Sequence, residues 1–413
     1  MLLVERHQYS QSSKHFKELD NLCFLSKNLY NATLYQVRQH YFETNKIIQY
    51  EDLNKLSNEI FPSDYQALPA KVSQQTQKLV FNNFKSFFKL LQKKKKGEYD
   101  GPISIPKYLH KTKGRQILTF TKQAISFNNR NVPQGYVKLS NVSFLIKTKV
   151  KDIRFVRIVP CTNCITIEIG YEQEVPTITE KVSDRYASID IGVNNLATVT
   201  SNVFNPFIIN GKPLKSVNQF YNKRIAHLAS KQPTDCWTKR MYSTLRKRNN
   251  RINDYMHKSS AHIVNQLVEN RVDMLIIGHN EGWKQDTRKM HKDDRQSFVQ
   301  IPFNKFIQML EYKCQLKGIR VVEQEESYTS KCNFLLQDYL PTYGVNEELF
   351  KPTGKRIKRG LYKSNCGKVI NADVNGSLNI LRKYLTEQEA WNETIFSDCV
   401  EVCSTPSVFT VKT

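Results

Sequence analysis

Acidic residues are in short supply in this chain. Against 62 Lys and Arg stand only 38 Asp and Glu, a formal net charge of +24 and a sequence pI near 9.5. Long apolar runs are missing too: nothing approaches the roughly 20 consecutive apolar residues of a membrane-spanning helix, so the reading is a soluble protein. The chain does not open on the charged, apolar and small-residue pattern of a secretory signal, and its nine cysteines are an odd number spread without an even framework. The expected setting is reducing and cytoplasmic. Disorder is excluded by 39% hydrophobic and 11% aromatic residues, and 413 residues suffice for two or three domains, each with its own core.

The cationic excess needs polyanions. Each phosphate neutralised by Lys or Arg releases a counterion, so nucleic acid is the partner this balance implies. A merely basic surface is the plain alternative, and no polybasic amphipathic terminus points to a membrane.

Along the chain, apolar and aromatic residues recur at three- and four-residue spacing over 14–47 and 70–92, which predicts two long helices whose Tyr and Phe residues are core. The second runs into Lys93, Lys94, Lys95 and Lys96, after which GEYDGPISIPKY breaks regular structure and sets a boundary near residue 100. From 116 to 172 come short β-branched and aromatic runs, QILTFT, AISF, YVKLS, SFLIKTK, IRFVRIV and CITIEIG, the texture of a small antiparallel barrel or sandwich. Cys161 and Cys164, in CTNC, fall at a turn between two of these runs and, lacking a matching second pair, read as structural rather than as a zinc knuckle.

After PTITEKVSD the pattern changes to a strand at 187–193, the strands ATVTS and PFIIN, helices from about 215 to 270, a buried strand VDMLIIG, a helix over 302–317, a strand GIRVVEQE and a last helix starting near INADVNGSLNILRKYL. Three antiparallel strands followed by alternating helices and strands is the order of the ribonuclease H-like fold. It places Asp190, within SIDIGVNNLATV, on the first and central strand. A buried lone carboxylate costs several kcal/mol unless paired, hydrogen-bonded or bound to metal, so Asp190 needs neighbours. Asp373, in NADVNGSLNI, is the candidate on the last helix, where Gly376 and Ser377 leave room for a strand edge and a phosphate. An N-cap role is the alternative for Asp373. In such a fold two Mg²⁺ ions about 4 Å apart bridge the carboxylates and the scissile phosphate.

SIDIGVNNLATV, LIIGHNEGWKQ, FVQIPFNKFIQMLEYKCQLKGIRVVEQEESYTSK and GKRIKRGLYKSNCGKVINADVNGSLNILRK together resemble the TnpB (OrfB) proteins of bacterial insertion sequences, relatives of the type V CRISPR effectors, and SKNLYNATLYQVRQHYF and GPISIPKY extend the resemblance over most of the chain. It implies a multidomain α+β protein: residues 1–15 a first wedge strand, 16–99 a helical recognition lobe, 100–182 a β-barrel wedge domain, 183–384 a RuvC-type nuclease domain and 385–413 a tail. The implied activity is RNA-guided, Mg²⁺-dependent cleavage of target DNA, with a guide RNA (omega RNA) and target DNA as partners. A nuclease-inactive, RNA-guided regulator and a strand-transfer transposase are the alternatives.

Relatives commonly carry a glutamate at the end of the fourth strand. Here that strand ends near Gly278 and Glu281 comes late, whereas the next strand offers Glu323, Glu325 and Glu326. The third carboxylate and metal ligand, beside Asp190 and Asp373, is expected to be Glu326, reaching across small Gly278, with Glu281 and Glu325 as alternatives. Relatives also carry two CxxC pairs before the last helix, where this chain has only Cys332 and Cys366. Two thiols are too few for structural zinc, so a degenerate insertion near 330–366 is expected to hold its shape by packing. Nucleic-acid contacts are expected from Lys93 to Lys96, from Arg246, Lys247, Arg248 and Arg251 on a helix without balancing acids, and from Lys355, Arg356, Lys358 and Arg359.

Overall fold

A computed structural model describes residues 1–177, 184–233, 236–280, 296, 298–345, 347–358, 360–403 and 405–411. It divides into two compact units, Met1–Gln173 and Glu174–Thr413. The boundary expected between 182 and 183 lies outside the described residues.

The first unit opens with strand β1 (Leu2–Ser10) and helices α1 (Phe16–Thr44), α2 (Tyr50–Ile60), α3 (Pro62–Gln66) and α4 (Ala70–Lys95). Helix α1 buries Leu19, Leu22, Cys23, Leu29, Leu34 and Val37 along one face, the spacing that made it legible. It stops at Asn45, a left-handed residue (φ 54°) whose N–H closes on the Tyr41 carbonyl. The short α2 and α3 bury only Leu53, Ser57 and Tyr65, too few apolar residues to announce a helix.

The strands that follow are β2 (Leu118–Thr121), β3 (Ile125–Asn129), β4 (Val132–Leu139), β5 (Ile146–Lys147), β6 (Phe155–Cys161) and β7 (Cys164–Glu172). They form two open antiparallel sheets, β1-β7-β6-β2 and β3-β4-β5. Among the described residues no pairing joins the two into a closed barrel: the chain leaves β2 through a short turn at Lys122–Ala124 and starts a new sheet. Helices and strands share one core, from Leu19 and Phe84 to Leu118, Val156 and Ile169. Cys161 and Cys164 pair across the tight β6–β7 hairpin, with Asn163 at φ 64° supplying the backbone that the turn demands.

The second unit is built on a six-stranded sheet of order β12-β11-β8-β9-β10-β16. Its strands are β8 (Tyr186–Ile191), β9 (Asn195–Ser201), β10 (Phe207–Asn210), β11 (Met274–Gly278), β12 (Arg320–Gln324) and β16 (Ser407–Phe409). The meander β8-β9-β10 is antiparallel, while β11 and β12 add parallel to the other side of β8. Helices α5 (Lys212–Ala229), α6 (Lys239–Glu269) and α7 (Phe303–Gln315) fill the connections, and α8 (Ala372–Glu387) follows a small antiparallel sheet of β13 (Gly354–Lys358), β14 (Leu361–Ser364) and β15 (Val369–Asn371). The described part of residues 385–413, expected as a tail, is woven into the fold: α9 (Glu393–Glu401) buries Ile395 and Cys399, and β16 pairs parallel with β10. A buried hydroxyl network pins α8 to the sheet. Ser188 Oγ donates to the Ser377 carbonyl (2.7 Å), and Thr200 Oγ1 lies 2.9 Å from Ser377 Oγ. Small side chains at 376 and 377 are what permit this close approach.

Candidate active site

Strand β8 is buried at five of its six positions, and Asp190 alone keeps partial exposure. That is why a central strand accepts a carboxylate here: it opens onto a cleft of about 670 Å³ lined also by Asn195, Lys212, Arg356 and Asp373. Gly376 of α8 lies so close that a Cβ there would stand 3.0 Å from Asp190 Oδ2. Burial first, then the charges of Glu326 and Asp373, push the Asp190 carboxyl well above the usual carboxylate range, with Arg356 opposing.

Asp373 is not the cap of its helix. Asn371 is, its Oδ1 accepting from the backbone N–H groups of Asp373 (2.9 Å) and Val374 (3.2 Å). The Asp373 carboxylate is thereby left free for the cleft, where Asn195 Nδ2 donates to Oδ2 (2.7 Å) and Arg356 reaches Oδ1 (3.3 Å). Neither Asn195 nor Lys212 was singled out from the sequence. Asn195 sits one step past the turn after β8, inside the quoted GVNNLA, and only the β8–β9 pairing reveals which asparagine of that pair faces Asp373.

Glu326 follows β12 and sits over the end of β11: a Cβ on Gly278 would stand 2.9 Å from its Oε2. Asn280 fixes it from both sides, accepting from the Glu326 N–H (3.2 Å) and donating to Oε1 (3.4 Å). Burial, and then Glu325, push the Glu326 carboxyl up to about 7. The neighbouring acids have other partners. Glu325 pairs with the buried ammonium of Lys383 on α8; burial would raise its carboxyl, but Lys383 and Ser327 hold it below the usual range. Glu323 meets His279 Nδ1 at 2.6 Å. Glu281 lies outside the described residues.

Asp190 accepts no hydrogen bond from the described residues, and two further acids raise its cost of ionisation. Acidic side chains gathered in this way have the chemistry to hold a cation. Among the described residues no three His, Cys, Asp or Glu side chains close a cage around one ion. Mg²⁺ seldom uses an all-protein cage, taking one or two carboxylates, water and substrate phosphate instead.

The expected nucleic-acid residues fall in three places. Lys93 to Lys96 are exposed at the end of α4. On α6, Lys247 and Arg251 are exposed, whereas Arg248 is committed to the fold, donating to Asn218 Oδ1 (2.8 Å) and to the Gln300 carbonyl (2.7 Å). Arg246 is half-buried. Lys355, Arg356 and Lys358 are exposed on β13, with Arg356 turned into the cleft; Arg359 lies outside the described residues.

The insertion is tied down by hydrogen bonds. Asp338 accepts from the N–H groups of Asn333 (2.7 Å) and Thr353 (2.9 Å), and Asn375 and Asn379 of α8 both donate to the Cys332 carbonyl. Cys332 is buried, and burial pushes its thiol up to about 12.

Comparison with known proteins agrees with this architecture. The family described as Probable transposase (OrfB_IS605) matches residues 168–284, and the family described as Cas12f1-like, TNB domain, matches residues 303–380. The TnpB-like protein ORF457 of Acidianus two-tailed virus is 24% identical over 407 residues, spanning 89% of this chain and 83% of the viral protein. The CRISPR-associated endodeoxyribonuclease Cas12f2 of a Micrarchaeota archaeon is 26% identical over 240 residues, 54% of this chain and 41% of that protein. Among solved structures, the Cas12f1 chain of a Cas12f1-sgRNA-target DNA complex shares the fold at a TM-score of 0.50, with 15% identity over 88% of this chain and 82% of its own. These matches bear out the resemblance to the TnpB (OrfB) proteins read in the sequence.

Proposed function

We propose that this chain is an RNA-guided DNA endonuclease whose second unit is a RuvC-type, ribonuclease H-like nuclease domain cutting target DNA by metal-assisted phosphodiester hydrolysis. The observation that carries this is Asp190: a carboxylate on the central strand that accepts no hydrogen bond from the described residues, opening on a cleft it shares with Asp373 and flanked by Glu326. The sheet order, with an antiparallel meander on one side of the central strand and two parallel strands on the other, is the order expected of a ribonuclease H-like domain and supports the reading. The two family matches and the named relatives support the guided character of the reaction, because such enzymes leave sequence reading to base pairing and need cationic, shape-reading surfaces.

Asp190, Asp373 and Glu326 would hold two Mg²⁺ ions. When bound, these supply Lewis-acid polarisation of the scissile phosphate and a hydroxide nucleophile at neutral pH. The residues of the chain do the positioning. Asn195 and Arg356 fix the Asp373 carboxylate, Asn280 fixes Glu326, and Gly278 and Gly376 admit the carboxylates to the ends of the strands. Lys212 and Arg356 place two cations in the cleft for the DNA backbone, where a guanidinium can grip phosphate through two donors. The insertion, with two single cysteines, is taken to hold no zinc.

Single substitutions test the assignment. Asp190→Asn, Asp373→Asn and Glu326→Gln are each expected to bring Mg²⁺-dependent cleavage to background while the purified protein still carries its RNA. Glu325→Gln is expected to cut. A Glu326→Gln protein that cuts like wild type would remove Glu326 from the trio, and an Asp190→Asn protein that does so would remove the site.

A further inference from the structure

A second cleft, of about 330 Å³, lies between α5 and α6. Phe220, Tyr221 and Arg224 line it from α5, with Arg240, Lys247 and Arg251 from α6. Phe220 is 63% exposed, an apolar ring held in water among cations. Residues 212–229 carry four Lys or Arg and residues 239–251 carry six, with no Asp or Glu in either segment. The first acid on α6 is Asp254, which pairs with Lys258 (2.7 Å) on the following turn. A solvated helix face would mix signs along this length. A cationic groove with an exposed ring is instead the makeup of a single-strand platform, where phosphates track the charges and a base stacks on the aromatic face.

We propose that this groove binds single-stranded DNA, the continuation of the strand whose phosphate occupies the cleft at Asp190. The inference rests on the nuclease reading above. What links the two places is α5 itself: Lys212, its first residue, lines the cleft at Asp190, and Phe220 stands eight residues on, about 12 Å along the helix axis. A strand leaving the cleft along α5 therefore meets Arg224 and Phe220 within a few nucleotides. Duplex DNA keeps its bases stacked inside and offers no free face to Phe220, so the groove selects the unpaired form.

The test uses the full-length protein without divalent metal and fluorescein-labelled 20-mers of deoxythymidine and of uridine, beside a mixed-sequence duplex. Phe220→Ala is expected to weaken deoxythymidine binding about ten-fold, within the range for loss of one stacked base, and Phe220→Trp to restore it. Arg240→Gln with Lys247→Gln is expected to weaken binding and lower its salt dependence. Duplex affinity should not follow Phe220. A 5-iodouracil-containing strand should photo-crosslink to a peptide within residues 212–251. The proposal is overturned if Phe220→Ala leaves deoxythymidine binding unchanged, if duplex binding falls equally, if only the uridine strand depends on Phe220, or if the crosslink maps elsewhere. Because no metal is present, these outcomes are independent of cleavage: a wild-type protein that fails to cut would sink the nuclease reading and leave the binding result standing.

Discussion

At the scale of single residues, the site is governed by the cost of collecting acids. Burial and the charge of Glu325 hold the Glu326 carboxyl at about 7, and Asp190 is raised as well. In metal-free protein the folded state therefore binds more protons than the unfolded chain between the ordinary carboxylate range and about pH 7. Stability from Glu326 is full at low pH and is lost as pH rises through that window, at about 1.4 kcal/mol per unit, and the raised Asp190 carboxyl acts in the same direction. Thermal unfolding in EDTA should show Glu326→Gln gaining on wild type as pH goes from 5 to 7.5. Mg²⁺ should stabilise wild type most at the upper end, and a constant difference between the two proteins would contradict the raised carboxyl. Asp190 was legible because a charge interrupted an apolar run, and Asp373 because small residues followed it. The choice among Glu323, Glu325 and Glu326 depends on where β12 stops. Partners separate them: Lys383 takes Glu325 and His279 takes Glu323, contacts far apart in sequence that no local pattern encodes.

At the scale of elements, the last helix is held to the sheet by features smaller than a side chain. Gly376→Ala would set a methyl 3.0 Å from Asp190 Oδ2, tighter than ordinary contact, so the carboxylate or the helix must yield. The expected outcome is a cleavage rate lowered by ten-fold or so, with far-UV circular dichroism unchanged; cleavage at the wild-type rate would show that α8 does not set the carboxylate spacing. Asn371→Ala removes the cap and should cost about 1 kcal/mol, read as a lower denaturation midpoint. Long periodic helices and the five strands β8 to β12 of the six-stranded sheet were legible because burial imposes their periods. The short α2, α3 and α9, and the edge strand β16, were not: each owes its conformation to what it packs against.

At the scale of the whole molecule, the charge balance pointed to nucleic acid and the order of elements to the second unit's sheet. The expected barrel is two open sheets, and the helices meant as a separate lobe share one core with them. Composition and spacing do not say which strands pair or which cores merge, since both depend on contacts more than a hundred residues apart, such as β1 with β7. The insertion offers a check on cofactor content. Purified protein should contain no stoichiometric zinc by elemental analysis; one zinc per chain would mean that Cys332 or Cys366 has found further thiolate partners.

Guided cleavage is the most direct test. The RNA that copurifies with the protein is sequenced, its target-pairing segment is rewritten, and the reconstituted complex is given matched and mismatched DNA with Mg²⁺ or EDTA. The account predicts cutting of the matched DNA alone, only with Mg²⁺, and none by the Asp190→Asn protein. Cutting that ignores the rewritten segment, or persists in the Asp190→Asn protein, would contradict it.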